Sequence, residues 1–295
     1  MALDVCCPCN AAWFDSKELD RVPHGMTELP PEPLPQKVRE GLVKYEIEDE
    51  NELQRESVGE AEPPPDRWQW LPGILGLPVE YDEPVKPLRP WLTWTVCATV
   101  VATYFVTFGS LKSVIEDWGF VPVLWVRHGG LTLGSSFFLH AGIVHLVSNM
   151  YFFVTFADNV ENDLGRPMLF LLLAAAHLVG LLVNCAIDPR GDVPLVGASA
   201  GISAVLAYYA VVFSRARLGF LVPWRAFYRV SSWIQMPAWM SLAAFAMLQL
   251  IGALGQVSGF GRVAYAAHLG GLAVGIGAAV WVRLRRKRAQ IPAAT

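Results

Sequence analysis

Six apolar stretches, at roughly 91–108, 141–157, 167–187, 197–213, 236–254 and 263–282, constrain this chain more than any other feature. Each is long enough, or nearly so, to cross a hydrocarbon layer about 30 Å thick, which takes about 20 helical residues. Lipid offers no hydrogen bonds to a bare backbone, so such stretches must be helices whose amides are satisfied internally. The expected fold class is therefore an all-α membrane protein, a bundle of six transmembrane helices. The second and fourth stretches contain His, Asn, Ser and Gly, which lowers their hydropathy. The connection at 109–140, containing VPVLWVRHGGLTLGSSFFL, reads as a loop lying in the interface and not as a seventh span.

Charge divides the chain at about residue 90. Residues 1–90 hold 19 of the 26 acidic residues and 9 of the 23 basic ones, so an acidic, Pro-rich head precedes the apolar body. The body's basic residues cluster: Arg215, Arg217, Arg225 and Arg229 follow the fourth span, and RLRRKR follows the sixth. Only Arg190 and Arg262 fall in the short connections on the other side. Positive charge is enriched in cytoplasmic loops, so both termini are expected in the cytoplasm, with the starts of spans two, four and six near the outer face. The opening MALDVCCPCNAAWFD lacks a basic n-region and an apolar h-region, so insertion is expected through the first span. Residues 25–90 read as a flexible linker. Within it, Trp68 and Trp70 suit either the headgroup region or packing against the body.

Polar side chains inside a membrane are costly and mark function by default. Three clusters stand out: HAGIVHLVSNM (140–150), LVGASAGISA (195–204) and AYAAHLGGLAVG (264–275). The topology puts all three at one depth. Ser199, at the start of a helix, has a backbone amide without an intrahelical partner, in a dipole that favours developing negative charge. Taken alone, GASAG favours the reading of a close-packing motif of small residues. His268 adds a base. The glycines after it (Gly270, Gly271, Gly275, Gly277) offer a face that matches Gly201, Ala204 and Ala207 on span four, and contact there brings Ser199 within reach of His268. His145 and Asn149 are four residues apart on one helix face and supply two donors for an oxyanion. Gly197, Ala198 and His140 are expected to line the site, and His177 to be structural.

The set H-x-x-x-N, G-x-S and A-H-x-x-G, on the second, fourth and sixth of six helices, resembles the rhomboid family of intramembrane proteases. So does ADNVENDLGRPMLF, with Glu161 and Gly165 in place. The resemblance covers about residues 91–282, and 283–295 form a basic tail. It implies a Ser199–His268 dyad, an oxyanion hole from His145, Asn149 and the Ser199 amide, and cleavage of single-span membrane proteins near their outer end. It further implies a bacterial plasma membrane as host, and that span five with the loop at 255–262 closes the site from lipid. Several positions depart from the family pattern. Ala200 and Gly201 are in reversed order, Ser203 stands where some members carry an aromatic ring, Ala157 replaces a glycine, and Val126 separates Trp125 from Arg127. A non-proteolytic relative that binds client helices as a chaperone is the alternative. The retained Ser and His argue against it.

Other classes fare worse. H-E-x-x-H, expected of a zinc intramembrane protease, is absent, as are a pair of intraspan aspartates and a Gly-rich phosphate loop. No nucleic-acid partner and no catalytic cofactor are expected. At the start, CCPCNAAWFDSKEL resembles the second half of a zinc-ribbon knuckle (residues 1–24), with Cys6 and Cys9 at ligand spacing. A structural zinc wants four ligands. The knuckle's first C-x-x-C is missing and His24 sits in a loop-like context. Either residues lie upstream of this sequence or the knuckle is incomplete and metal-free; for the chain as given, a zinc on Cys6 and Cys9 is the less favoured expectation.

Overall fold

The computed structural model describes residues 4–6, 11–13, 59–64, 66–81, 89–222, 232–261 and 263–290. The chain divides into two units, Met1–Gln54 and Arg55–Thr295. In the first, β1 (Asp4–Cys6) and β2 (Ala11–Trp13) pair antiparallel with Val5 opposite Ala12. Cys9 and His24 lie outside the described residues, and Cys6 is described as backbone of β1 alone.

The second unit is mostly helical. After the short α1 (Trp70–Ile74) come α2 (Trp91–Thr107), α3 (Leu111–Trp118), α4 (Thr132–Phe138), α5 (Ile143–Leu164), α6 (Arg166–Ile187), α7 (Ser199–Val212), α8 (Ala238–Val257) and α9 (Tyr265–Gln290). Among the described residues, four helical segments are long and apolar enough to cross a membrane: α2 running on into α3, α6, α8 and α9. The pair α4 and α5, bent by 87°, makes a fifth if counted as one span. The sixth expected span, α7, has 14 residues. At 1.5 Å per residue it is about 21 Å long, shorter than the hydrocarbon layer.

That short helix is the centre of the bundle. Ten of its 14 residues are buried, and α5, α6, α8 and α9 all pack on it. Close approach depends on small residues. A Cβ on Gly271 would run into the Ala200 carbonyl, one on Gly275 into the Ala204 carbonyl, and one on Gly270 would lie 2.9 Å from Gly180 Cα on α6. The matching face on α7 is therefore Ala200 and Ala204, one helical turn apart. Gly201, expected to share it, is turned about 100° away, and a Cβ there would meet Leu173 and Phe137 at 3.2 Å. Gly277 faces open space. Overpacked cores typically lose about 1–3 kcal/mol. Gly271→Val, pressed against backbone that cannot yield, is expected at or above the top of that range, read as a lowered thermal midpoint in detergent.

Two helices outrun their hydropathy because their charges are satisfied. Helix α5, expected to end near 157, continues to Leu164. Glu161, only 3 % exposed, accepts the Leu92 and Thr93 amides at 3.1 and 2.8 Å, the Thr93 hydroxyl at 2.8 Å, and Arg166 Nε at 3.3 Å. It thus caps the first turn of α2, whose amides have no partner within the helix. Asp163 accepts from Tyr208 Oη at 2.6 Å and Arg286 Nη2 at 2.9 Å. Arg286 lies in the basic run that was expected to leave the bundle at 283, and the helix extends through it to Gln290.

Part of the expected flexible linker is folded. β3 (Gly59–Ala61), β4 (Val79–Glu80), β5 (Arg217–Leu221) and β6 (Trp233–Pro237) form an antiparallel sheet in the order β3-β6-β5-β4. Ala61, Val79 and Trp233 are its core, and Trp70 stands edge-on to Trp233 at 5.5 Å. Both tryptophans weighed from sequence are exposed, Trp68 at 65 % and Trp70 at 38 %, and Trp70 makes its ring contact with Trp233. Glu80 ties the sheet to the bundle by accepting from Tyr209 on α7 and Asn159 on α5, and Tyr151 donates to the Pro78 carbonyl at 2.6 Å. A pairing across more than 130 residues leaves no local trace, which is why the stretch read as linker.

Candidate active site

At the opposite end of α7, its N-terminus opens toward the segment 109–142. Phe120 and Leu195 exchange backbone hydrogen bonds at 3.0 and 2.7 Å, joining that segment to the α6–α7 connection. The segment is not one loop: α3 and α4 lie within it, and Arg127 reaches back to the Glu116 and Gly119 carbonyls at 2.7 and 2.8 Å, closing the end of α3. Val126 between Trp125 and Arg127 does not prevent that contact.

The turn into α7 is made by Gly197, with φ of +119°, a conformation open to glycine and strained for other residues. Its amide donates to the Ser136 carbonyl on α4 at 2.8 Å. A Cβ there would lie 2.8–2.9 Å from Cε1 and Nε2 of His145 and 3.7 Å from the Asn149 amide nitrogen. Gly197 is thus required twice, for the turn and for the approach of α5. Ala198 is buried behind it, and Ser199 begins the helix. The Ser199 amide is by position one of the first-turn donors with no intrahelical acceptor.

His268, in the first turn of α9, places Nε2 2.8 Å from Ser199 Oγ. Its Nδ1 lies 2.8 Å from Oε1 of Gln249 on α8. On α5, Asn149 is buried and donates from its amide to His140 Nε2 at 2.9 Å, while His140 Nδ1 faces the Phe138 carbonyl at 3.4 Å. The rings of His140 and His145 are 4.9 Å apart. An amide has two N–H groups, so Asn149 can bind His140 with one and still present the other to the site. The structure therefore brings Ser199, His268, His145, Asn149, Gly197, Ala198 and His140 together around one helix start. Elsewhere, His177 Nε2 lies 3.0 Å from the Leu133 carbonyl and 3.1 Å from Ser136 Oγ, holding α4 to α6. Ser203, standing where some relatives of the motif have a ring, donates to the Ser199 carbonyl at 2.8 Å.

Two residues beside this site escaped the sequence reading. Gln249 and Gln256 lie seven apart on one face of α8, inside an apolar helix. Gln256 has no exposed surface. Its Nε2 donates to Asn184 Oδ1 at 2.8 Å and Asp188 Oδ2 at 2.7 Å, and its Oε1 accepts the Ala266 amide at 2.9 Å, capping the first turn of α9. Asp188 also holds Arg190, which reaches the Gly261 carbonyl at 2.7 Å. This knot ties α6, α8 and the approach to α9 together. The rule that any polar side chain within a span needs a reason would have flagged both glutamines.

Hydrogen bonds from Arg190, against the opposing effect of burial and with help from Gln256, hold the Asp188 carboxyl down at about 2. A carboxylate whose folded value is depressed contributes stability above its unfolded value, about 3.9, and loses it as pH falls through the folded value. The knot is therefore expected to persist through pH 4 and to fail only toward pH 2. Thermal melts of wild type and Asp188→Asn between pH 7 and 2 check this: the gap between them narrows only below about pH 4.

No group of three or more His, Cys, Asp or Glu side chains is placed to hold a metal among the described residues. What the arrangement can do is acyl transfer: a hydroxyl bonded to an imidazole at a helix N-terminus, with further N–H donors alongside.

The family model for the Rhomboid domain matches residues 127–285, which include every site residue named above. Among curated proteins, Presenilin-associated rhomboid-like protein A, mitochondrial, from Danio rerio is 31 % identical over 149 residues. The match covers 50 % of this chain and 36 % of that protein, so the chain spans about a third of its relative's length.

Proposed function

The chain belongs to the rhomboid family of multi-pass membrane proteins, and from that premise we propose that it is an intramembrane serine endopeptidase acting on single-span membrane proteins. The observation that carries this reading is the 2.8 Å contact between Ser199 Oγ and His268 Nε2. In the reaction, Nε2 takes the Ser199 proton as Oγ attacks the scissile carbonyl. The tetrahedral oxyanion is held by the Ser199 amide, His145 and an N–H of Asn149, in line with the electrostatic stabilisation such donors provide. Collapse of the intermediate expels the amine, which takes its proton from His268. Water, deprotonated by the same imidazole, then releases the acyl group. No metal or cofactor enters these steps.

Recessed placement of the nucleophile follows from length. With α7 about 21 Å long in a layer of about 30 Å and its C-terminus at the cytoplasmic face, Ser199 would sit below the outer surface, where a transmembrane segment and not a soluble chain meets it. Both termini are proposed to face the cytoplasm, from the run Arg285, Arg286, Lys287 and Arg288 at one side of the bundle. Protease protection of tagged termini in sealed vesicles tests this. A bacterial plasma membrane remains the proposed host, and fractionation of the source cells tests it.

The test of the activity uses the purified chain in detergent with a transmembrane reporter. Cleavage by wild type and none by Ser199→Ala is expected. Equal product from both, or none from wild type, sinks the endopeptidase reading, and reporter binding without cleavage would favour a client-binding chaperone.

A further inference from the structure

We infer that Gln249 is a positioning residue for the base: it accepts the Nδ1 proton of His268 and so keeps Nε2 free to take the proton of Ser199. This rests on the endopeptidase reading for its consequence, but the arrangement itself stands on α8 and α9. The two helices run antiparallel, and contacts between them repeat at turn spacing. Gly252 faces Tyr265, where a Cβ would run into the ring, and one turn away Gln249 faces His268. Gly252 lets the helices close, and the closure delivers the Gln249 amide to the imidazole at 2.8 Å. Gln249 is 6 % exposed, so water is a poor competitor for that bond.

The chemistry turns on which nitrogen carries the proton. A neutral imidazole has one N–H and one lone pair. An amide oxygen can only accept, so facing Nδ1 it selects the Nδ1–H tautomer, and Nε2 presents its lone pair to the Ser199 hydroxyl. The opposite amide rotamer would donate to Nδ1 and force the proton onto Nε2, where it blocks the base. A histidine's tautomer is set by the partner of its other nitrogen, and in soluble triads a buried carboxylate does this work. Here a neutral amide serves, which avoids placing a charge beside the apolar faces of α8 and α9. Among the described residues, the ring that meets the imidazole is Tyr265, edge-on at 6.4 Å, and the polar support comes from Gln249 on α8. One consequence is that the base is correctly protonated only while α8 is seated against α9.

Three variants test this, each first checked for an unchanged thermal midpoint. Gln249→Leu removes the acceptor, Gln249→Met repeats the removal with an unbranched chain should Leu fold poorly, and Gln249→Glu restores an acceptor. Loss of the outer hydrogen-bond partner of a metal-bound histidine typically costs about 10–100-fold, and a loss of that order is expected here. Leu or Met is expected to lower kcat by that range with KM within about twofold, and fluorophosphonate labelling of Ser199 should slow in parallel. Glu is expected to recover at least about a third of wild-type kcat, as an acceptor-only partner. The side-chain 15N spectrum of His268, identified by its loss in His268→Ala, should show the Nδ1–H tautomer in wild type and a mixture in Leu. Wild-type labelling and kcat in Leu would overturn the assignment, as would equal losses in Leu and Glu with the His268 tautomer unchanged. The spectrum does not depend on turnover. A wild type that fails to cleave but loses its Nδ1–H tautomer in Leu would sink the endopeptidase reading and leave the positioning role standing.

Discussion

Truncating His268 to alanine is expected to lower kcat against a transmembrane reporter by about four to six orders of magnitude. The reason is the state of the nucleophile. A serine hydroxyl is a weak nucleophile at neutral pH, and among the described residues the acceptor for the Ser199 Oγ proton is His268 Nε2, at 2.8 Å. Without it, attack must release a proton where water is scarce. Ser199→Ala is expected to lose as much, and the double variant little more than either alone, because the two groups act as one unit. KM should move little, since the α7 and α9 faces that would meet substrate are unchanged. Initial rates over a range of reporter concentration in detergent check each point. A His268→Ala enzyme that keeps a tenth of wild-type kcat would remove the imidazole from its role.

The second large effect lies on α5. Asn149→Ala is expected to lower kcat by about 10²–10³, the usual loss of about 2.7–4 kcal/mol of transition-state stabilisation for one oxyanion donor. Its position supports this: Asn149 is buried against Gly197, one N–H goes to His140, and the other has the helix start before it. His145→Ala should cost a similar factor, through the ring that packs on Gly197. His140→Ala acts differently, by freeing Asn149 from its 2.9 Å anchor, and a smaller loss in kcat is expected. Comparing kcat and KM for the three variants separates donor from anchor: a donor's loss falls on kcat. Were Asn149→Ala to raise KM alone, the asparagine would belong to substrate binding and not to the oxyanion.

How much of this was legible depended on whether a residue's partner was implied by a local pattern. Ser199, His268, His145 and Asn149 are polar groups in apolar spans, and spacing put them on known faces. Glu161 stood out within its motif, but its work as a cap for α2 needed the Leu92 and Thr93 amides, nearly 70 residues away. Gln249 and Gln256 went unremarked, because a glutamine's role is defined by its partner and not by its own chemistry. The sheet was invisible for a related reason. Gly59–Ala61 and Val79–Glu80 are too short for an alternating pattern, and their hydrogen bonds go to β6 and β5, over a hundred residues on.

Hydropathy and polar placement in the sequence determined that this protein is a membrane-embedded helical bundle with a serine and a histidine at one depth. Those properties follow from the solvent, since lipid forbids a bare backbone and penalises every unpaired polar group. Tertiary structure alone decided that α7 is a helix of 14 residues, that Ala200 and Ala204, not Gly201, meet the glycines of α9, and that Gln249 holds the far side of His268. These are matters of fractions of a turn and of ångströms between helices distant in the chain. Close packing fixes such distances collectively, and no single segment carries them.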